Sequence, residues 1–232
     1  MAVIREISFG DGTVVRITDW GDYPIYSRAV FTRNDLNAEL NQTQYLFNYT
    51  LGGQMPMTNA RATYADTNMP GNSQLPMGHQ MLVYSLQVVP DEFAAPAESS
   101  VQKPLYIEPE FSYAQAVWKW RKIFFQTFLT LKVEQTKSFV EGRLDHFPMG
   151  GGFKIETGGA ASGDAYAIYN GDKTWAATRR LAMPIHLGSL ETFYVALDWP
   201  RGGLDYDQTN YAFHNGFGLM VRMTGPRQRP TA

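Results

Sequence analysis

A chain of 232 residues with a formal net charge of −2 carries no global attraction for nucleic acid or an acidic membrane surface. Its lack of cysteine excludes a disulfide framework and fits assembly in a reducing cytoplasm. At this length folding buries about 70% of the unfolded chain's surface, so no covalent or metal staple is needed.

The N-terminus, Met1-Ala-Val-Ile-Arg-Glu, places charges where the apolar region of a secretory leader would lie, so none is expected. Val3 to Phe9 and Thr13 to Thr18 flank Asp11-Gly12, a strong hairpin signal, with Trp20 just beyond. Thr32 to Glu39 reads as one or two helical turns capped by Thr32 or Asn34. Tyr45 to Leu51 reads as a strand ending at Gly52-Gly53, and the sequon Asn48-Tyr-Thr50 is therefore taken as strand sequence. Residues 54 to 80 hold four Met and three Pro among Asn and Gly, a long irregular segment of the kind that carries function or interface. Met81 to Val89 is apolar on both faces and is expected as a central strand. Pro90 to Pro104 is an exposed Ala/Pro/Ser/Glu-rich loop.

Ser112-Tyr-Ala-Gln115 is a capping box, and Phe111, Ala114, Val117, Trp118 and Arg121 recur at helical spacing. One amphipathic helix covering an end or edge of the fold is expected there, rather than an RNA-stacking patch. Gln126 to Val133, Ser138 to Leu144 and Glu191 to Pro200 alternate apolar and polar residues, so each has a core face and a solvent face. Tyr166 to Tyr169, Arg180 to Leu187 and Gly218 to Thr224 complete ten or eleven strands, joined by glycine-rich links. The tail from Gly225 to Ala232 sets Arg227 and Arg229 between prolines and is expected to be extended. No run of 18 apolar residues is present.

The chemistry-bearing residues do not group. His79, His146, His186 and His214 lie in four segments without a second ligand at metal spacing. Asp164, Asp205 and Asp207 sit in glycine-rich loops lacking the periodic acids of an EF-hand. Glu108 and Glu110 give no argument for a glycosidase pair, and Gly150-Gly151-Gly152 lacks the Lys-Ser/Thr of a phosphate loop. No catalytic residue, metal site or cofactor is expected.

Several stretches resemble the jelly-roll major capsid proteins of tailless icosahedral bacteriophages, especially those with an internal membrane. They are Ala65 to Pro70, Gln74 to Pro76 and Met81 to Leu86; Glu141 to Gly152; Met183-Pro-Ile185 with Thr192 to Pro200; and the Arg-Pro near the C-terminus. The resemblance implies an all-β jelly-roll sandwich, one roll with insertions in preference to a compact double roll, plus one or two short helices. The expected organisation is a hairpin arm at 1–22, the sandwich at 23–225 and a tail at 226–232. It further implies a non-enzymatic subunit of the virion, made in the host cytoplasm. Such a subunit self-assembles as a trimer or hexameric capsomer, meets other capsid proteins, and touches membrane or genome through its ends. Candidate inter-subunit contacts are Trp20, Met55, Met57, Met69, Met77, Arg227 and Arg229, since methionines adapt to non-identical neighbours and terminal arms tie subunits together. The rival readings are a lectin-like carbohydrate-binding sandwich using exposed Tyr and Trp, and a sandwich-fold enzyme.

Overall fold

The computed structural model describes residues 6–8, 14–16, 20–31, 43–55, 60–92, 123–134, 137–147, 154–157, 166–169, 180–199 and 217–228. The protein is an all-β sandwich. Its strands are β1 (Glu6–Ser8), β2 (Val14–Arg16), β3 (Trp20–Asp22), β4 (Ile25–Phe31), β5 (Gln44–Leu46), β6 (Gln80–Glu92), β7 (Phe128–Val133) and β8 (Lys137–Arg143). They continue with β9 (Lys154–Thr157), β10 (Tyr166–Tyr169), β11 (Arg180–Leu187), β12 (Phe193–Asp198), β13 (Phe217–Thr224) and β14 (Pro226–Gln228).

One sheet runs β3-β14-β6-β13-β4, with β11 also on β6; the other runs β5-β12-β7-β8. Among the described residues every strand pair is antiparallel. In the eight strands of the sandwich proper, β4–β8 and β11–β13, the first pairs the last and the pairing nests inward. β4 meets β13, β5 meets β12, β6 meets β11 and β7 meets β8. β13 and β12 then each take a second partner, β6 and β7, which completes the two sheets.

The period-2 pattern explains the core. In the four-stranded sheet Leu46, Val195, Leu131 and Val140 stand in one cross-strand row, all buried. Ile25, Met223 and Leu86 form a matching row in the larger sheet. These rows belong to a single apolar cluster, in which the Phe31 and Trp199 rings meet edge-on at 5.6 Å and Phe47 tilts onto Phe193 at 5.8 Å. Each fully buried large apolar side chain contributes about 2 kcal/mol.

The expected N-terminal hairpin is present as β1·β2, with Ile7 opposite Val15. Other expectations need correction. The strand expected over Tyr45 to Leu51 stops at Leu46, because Phe47 adopts a left-handed φ of 68° and turns the chain. Asn48 therefore lies outside any strand. The tail expected from 226 begins inside the larger sheet, where β14 pairs β3 on one side and β6 on the other. β14 prolongs the line of β13 past Gly225, whose φ of 153° and contact with the Leu82 carbonyl oxygen leave no room for a Cβ. The helix expected from Ser112 and the turns expected at Thr32 to Glu39 lie outside the described residues. Residues 123–126 form a helical turn leading into β7.

Candidate assembly surface

The irregular segment after β5 is anchored rather than loose. Residues 61–69 run along the free edge of β4, with a bridge between Ser27 and Thr67. The outward backbone groups of that edge are met by side chains. Asn68 accepts from the Tyr26 amide at 3.0 Å, and Thr67 Oγ1 donates to the Tyr26 carbonyl. The Tyr49 hydroxyl accepts from the Arg28 amide at 3.0 Å and donates to the Arg28 carbonyl. An open strand edge templates unwanted pairing, and this one is closed.

A buried ion pair fastens the same loop. Arg28 Nη1 lies 3.4 Å from Asp66 Oδ1, and both side chains are nearly buried. Asp66 Oδ2 accepts from the Thr63 amide and hydroxyl, each at 2.9 Å. The guanidinium lies against Gly218 of β13, where a Cβ would sit 2.5 Å from Arg28 Nε. Burial pushes the Tyr49 phenol above its ordinary pKa of 10.0. Tyr26 is raised as well, by desolvation first and by Tyr64 and Asp66, against the opposing charge of Arg222.

This anchoring decides where the candidate contact residues lie. Met69 is fully buried in the main core, and Met55 is buried with Val30, Tyr49 and Ala62 in a second cluster under the loop. Arg227 is 5% exposed, and Trp20 is half-buried on β3 opposite Gln228. Met55, Met69 and Arg227 thus have their apolar or polar surroundings within their own chain. Met77 alone among the described candidates is open, at 76% exposure. Met57 and Arg229 lie outside the described residues.

Other exposed side chains, which sequence reasoning passed over, form the open surface. Tyr45 and Tyr194 occupy solvent-side positions of β5 and β12 and meet edge-to-face at 5.4 Å. Phe139 is half-exposed at the irregularity between β7 and β8, and Arg143 covers the exposed Phe125 ring at 5.0 Å. Both tyrosines fall at polar-face positions of alternating strands, which was the available signal.

At the end of the sandwich where β7 turns into β8, the loops 74–79 and 188–192 lock together. Gly78 donates to Ser189 Oγ at 2.8 Å, Ser189 Oγ donates to the Pro76 carbonyl, and the Leu190 amide donates to the Leu75 carbonyl. A shallow depression of about 610 Å³ opens beside them, lined by Glu134, His186 and residues 188–192. Leu190 rims it, half-exposed and in a left-handed conformation at φ 61°.

The polar groups here are engaged structurally. Glu134 pairs with Lys137 at 2.7 Å, Glu191 accepts from the Gly188 amide, and His186 Nε2 meets Gln80 Oε1 at 3.3 Å. His79 contacts Arg227 from another loop, and His146 is exposed beside Asp145. Among the described residues no three His, Asp or Glu side chains come together as a metal site. His214, Glu108, Glu110, Asp164, Asp205, Asp207 and Gly150 to Gly152 lie outside the described residues. No family model matches the chain, and no curated protein or solved structure is found to be similar to it.

Proposed function

We propose that the protein is a structural subunit, the major capsid protein of a tailless icosahedral bacteriophage, whose copies self-assemble into capsomers and then a closed shell. The nested strand order carries this reading. Eight strands paired first with last, second with seventh, third with sixth and fourth with fifth support a jelly-roll reading of the sandwich. That architecture recurs in viral capsid and lectin domains. One nested set supports one elaborated roll over two fused ones.

The surface is in keeping with a packing role. Met77, Leu190, Tyr45, Phe139 and Met183 each present a large apolar side chain to solvent, and the loops that carry the first two are fixed by hydrogen bonds. Rigid apolar contacts are what broad, shape-complementary interfaces use. On this reading the partners are further copies, in trimers or hexameric capsomers, together with other capsid proteins. The segments beyond β14 and before β3 meet membrane or genome, and the protein resides in the virion after synthesis in the host cytoplasm. Negative-stain electron microscopy with analytical ultracentrifugation tests this. Capsomers or shells are expected on concentration, and a lone monomer at high micromolar concentration across salt and pH would refute it.

The Tyr45–Tyr194 pair favours a second reading, a carbohydrate-binding sandwich, because exposed aromatic faces stack on sugar rings. A sugar-dependent thermal shift lost in Tyr194→Ser, without any higher assembly, would decide for it.

A further inference from the structure

We propose that Arg222 anchors an oxyanion site on the outer face of the larger sheet, which takes a carboxylate or phosphate group end-on. Its placement follows from the register. Leu219, Val221 and Met223 fill the core, so Met220, Arg222 and Thr224 of β13 point the other way. β13 has a neighbour on each side, and these set Tyr26 of β4 and Gln87 of β6 directly opposite Arg222. Arg222 therefore rises from the middle of the sheet rather than from an edge.

Its charge is unmatched. Arg222 is partly buried, and its Nε is sealed from water without an acceptor. Arg28 and Arg227 also have a sealed Nε, but their terminal nitrogens reach Asp66 and His79. Among the described residues Arg222 makes no hydrogen bond and no ion pair. Its two Nη atoms are neither sealed nor paired, so they open to solvent as a fork of donors.

The nearby acid is already engaged. Asp66 turns Oδ1 to Arg28 and accepts from Thr63 at Oδ2. Arg28 stands diagonally across from Arg222, opposite Met220, so among the described side chains this stretch of the face sets two guanidinium groups against one carboxylate. Asp22, opposite Pro226, lies four residues farther along, roughly 13 Å away by strand rise. Tyr26 fixes one flank of the fork. Its hydroxyl donates to the Tyr64 carbonyl, and the charge of Arg222 opposes the rise that burial imposes on its pKa. A guanidinium already stripped of part of its water holds an oxyanion more firmly than a fully solvated one, and two parallel donors fit the paired oxygens of a carboxylate or phosphate.

Nitrogen-15 spectroscopy of the arginine Nε–Hε groups of the full chain tests this, with sodium phosphate and sodium acetate each titrated against sodium chloride at matched ionic strength. The expected result is a saturable shift of the Arg222 signal with a dissociation constant on the order of 1–10 mM. The exposed Arg61 is expected to follow ionic strength alone. Saturation by phosphate only assigns a phosphate ligand, and saturation by acetate assigns a carboxylate one. At 30 mM the binding anion is expected to raise the melting temperature by roughly 2–8 °C over chloride, and Arg222→Gln to abolish that rise. An Arg222 signal that moves no more than that of Arg61 with either anion, or an equal stabilisation in Arg222→Gln, overturns the proposal. The site lies within one subunit, so these readouts are independent of the shell reading.

Discussion

Replacing Asp66 with alanine should unfold the loop along β4 and cost the protein about 3–4 kcal/mol. The carboxylate is the described counter-charge of Arg28, whose side chain is only 8% exposed. Removing one partner of a buried pair costs roughly 3–5 kcal/mol, because the remaining charge stays desolvated. The 3.4 Å separation places this pair at the lower end of that range. Losing the two Thr63 hydrogen bonds adds about 1 kcal/mol. For a chain of this size each kcal/mol moves the melting temperature by about 2–4 °C, so a fall of roughly 6–16 °C is expected by calorimetry. The double replacement Arg28→Met with Asp66→Leu removes both charges and should cost less than Asp66→Ala alone. A loss below about 1 kcal/mol, or a double variant worse than the single, would show that the ion pair does not anchor the loop.

Tyr49→Phe should cost about 1–3 kcal/mol, since it strips the Arg28 backbone of both its partners on that edge. Its ionisation has a definite sign: burial raises the folded pKa, so the neutral phenol's contribution is complete below pH 10.0 and is lost as pH rises beyond it. Ultraviolet titration should show one late-ionising tyrosine fewer in the variant. Leu190→Gly should stabilise the fold by about 0.5–1 kcal/mol in urea denaturation, since glycine accepts the left-handed φ and little packing is lost from a half-exposed side chain. Tyr45→Ser with Tyr194→Ser should leave the melting temperature within about 3 °C yet weaken assembly measured by sedimentation. Deleting residues 226–232 removes β14 and should cost on the order of 2 kcal/mol by thermal denaturation; an unchanged melting curve would mean β14 is not a structural strand.

The sequence made some of these features visible and hid others for identifiable reasons. β7, β8, β12 and β13 are legible because apolar residues recur at every second position, although Thr130 and Ala196 on the outer face of β7 and β12 are themselves buried, and β11 is found from Arg180 to Leu187 as its pattern suggested. β4 was invisible because the loop 61–69 covers its edge and outer face. Ser27 and Arg28 are buried beside Ala29, Val30 and Phe31, and alternation vanishes. β14 hides in Pro-Arg-Gln, which reads as a tail; proline is tolerated there as the first residue of a strand. The methionine-rich composition of residues 54–80 suggested an adaptable surface, but composition cannot say which methionines face inward. Met69 and Met55 do, and Met77 does not. The Tyr45–Tyr194 contact depends on cross-strand register, which no single strand reveals.

The nesting of first strand with last also sets a clock on the protein's own synthesis. β13 is the last long strand to be made, yet it belongs in the middle of the larger sheet, between β4 and β6, with Met223 opposite Ile25. At translation rates of about 5–20 residues per second, roughly 10–40 s separate the emergence of those two residues. Throughout that interval β4 and β6 stand as two unjoined edges. The smaller sheet meanwhile completes itself when β12 arrives. A chain interrupted before β13 therefore presents half a sandwich and no finished outer face, so only full-length subunits can take part in any ordered assembly.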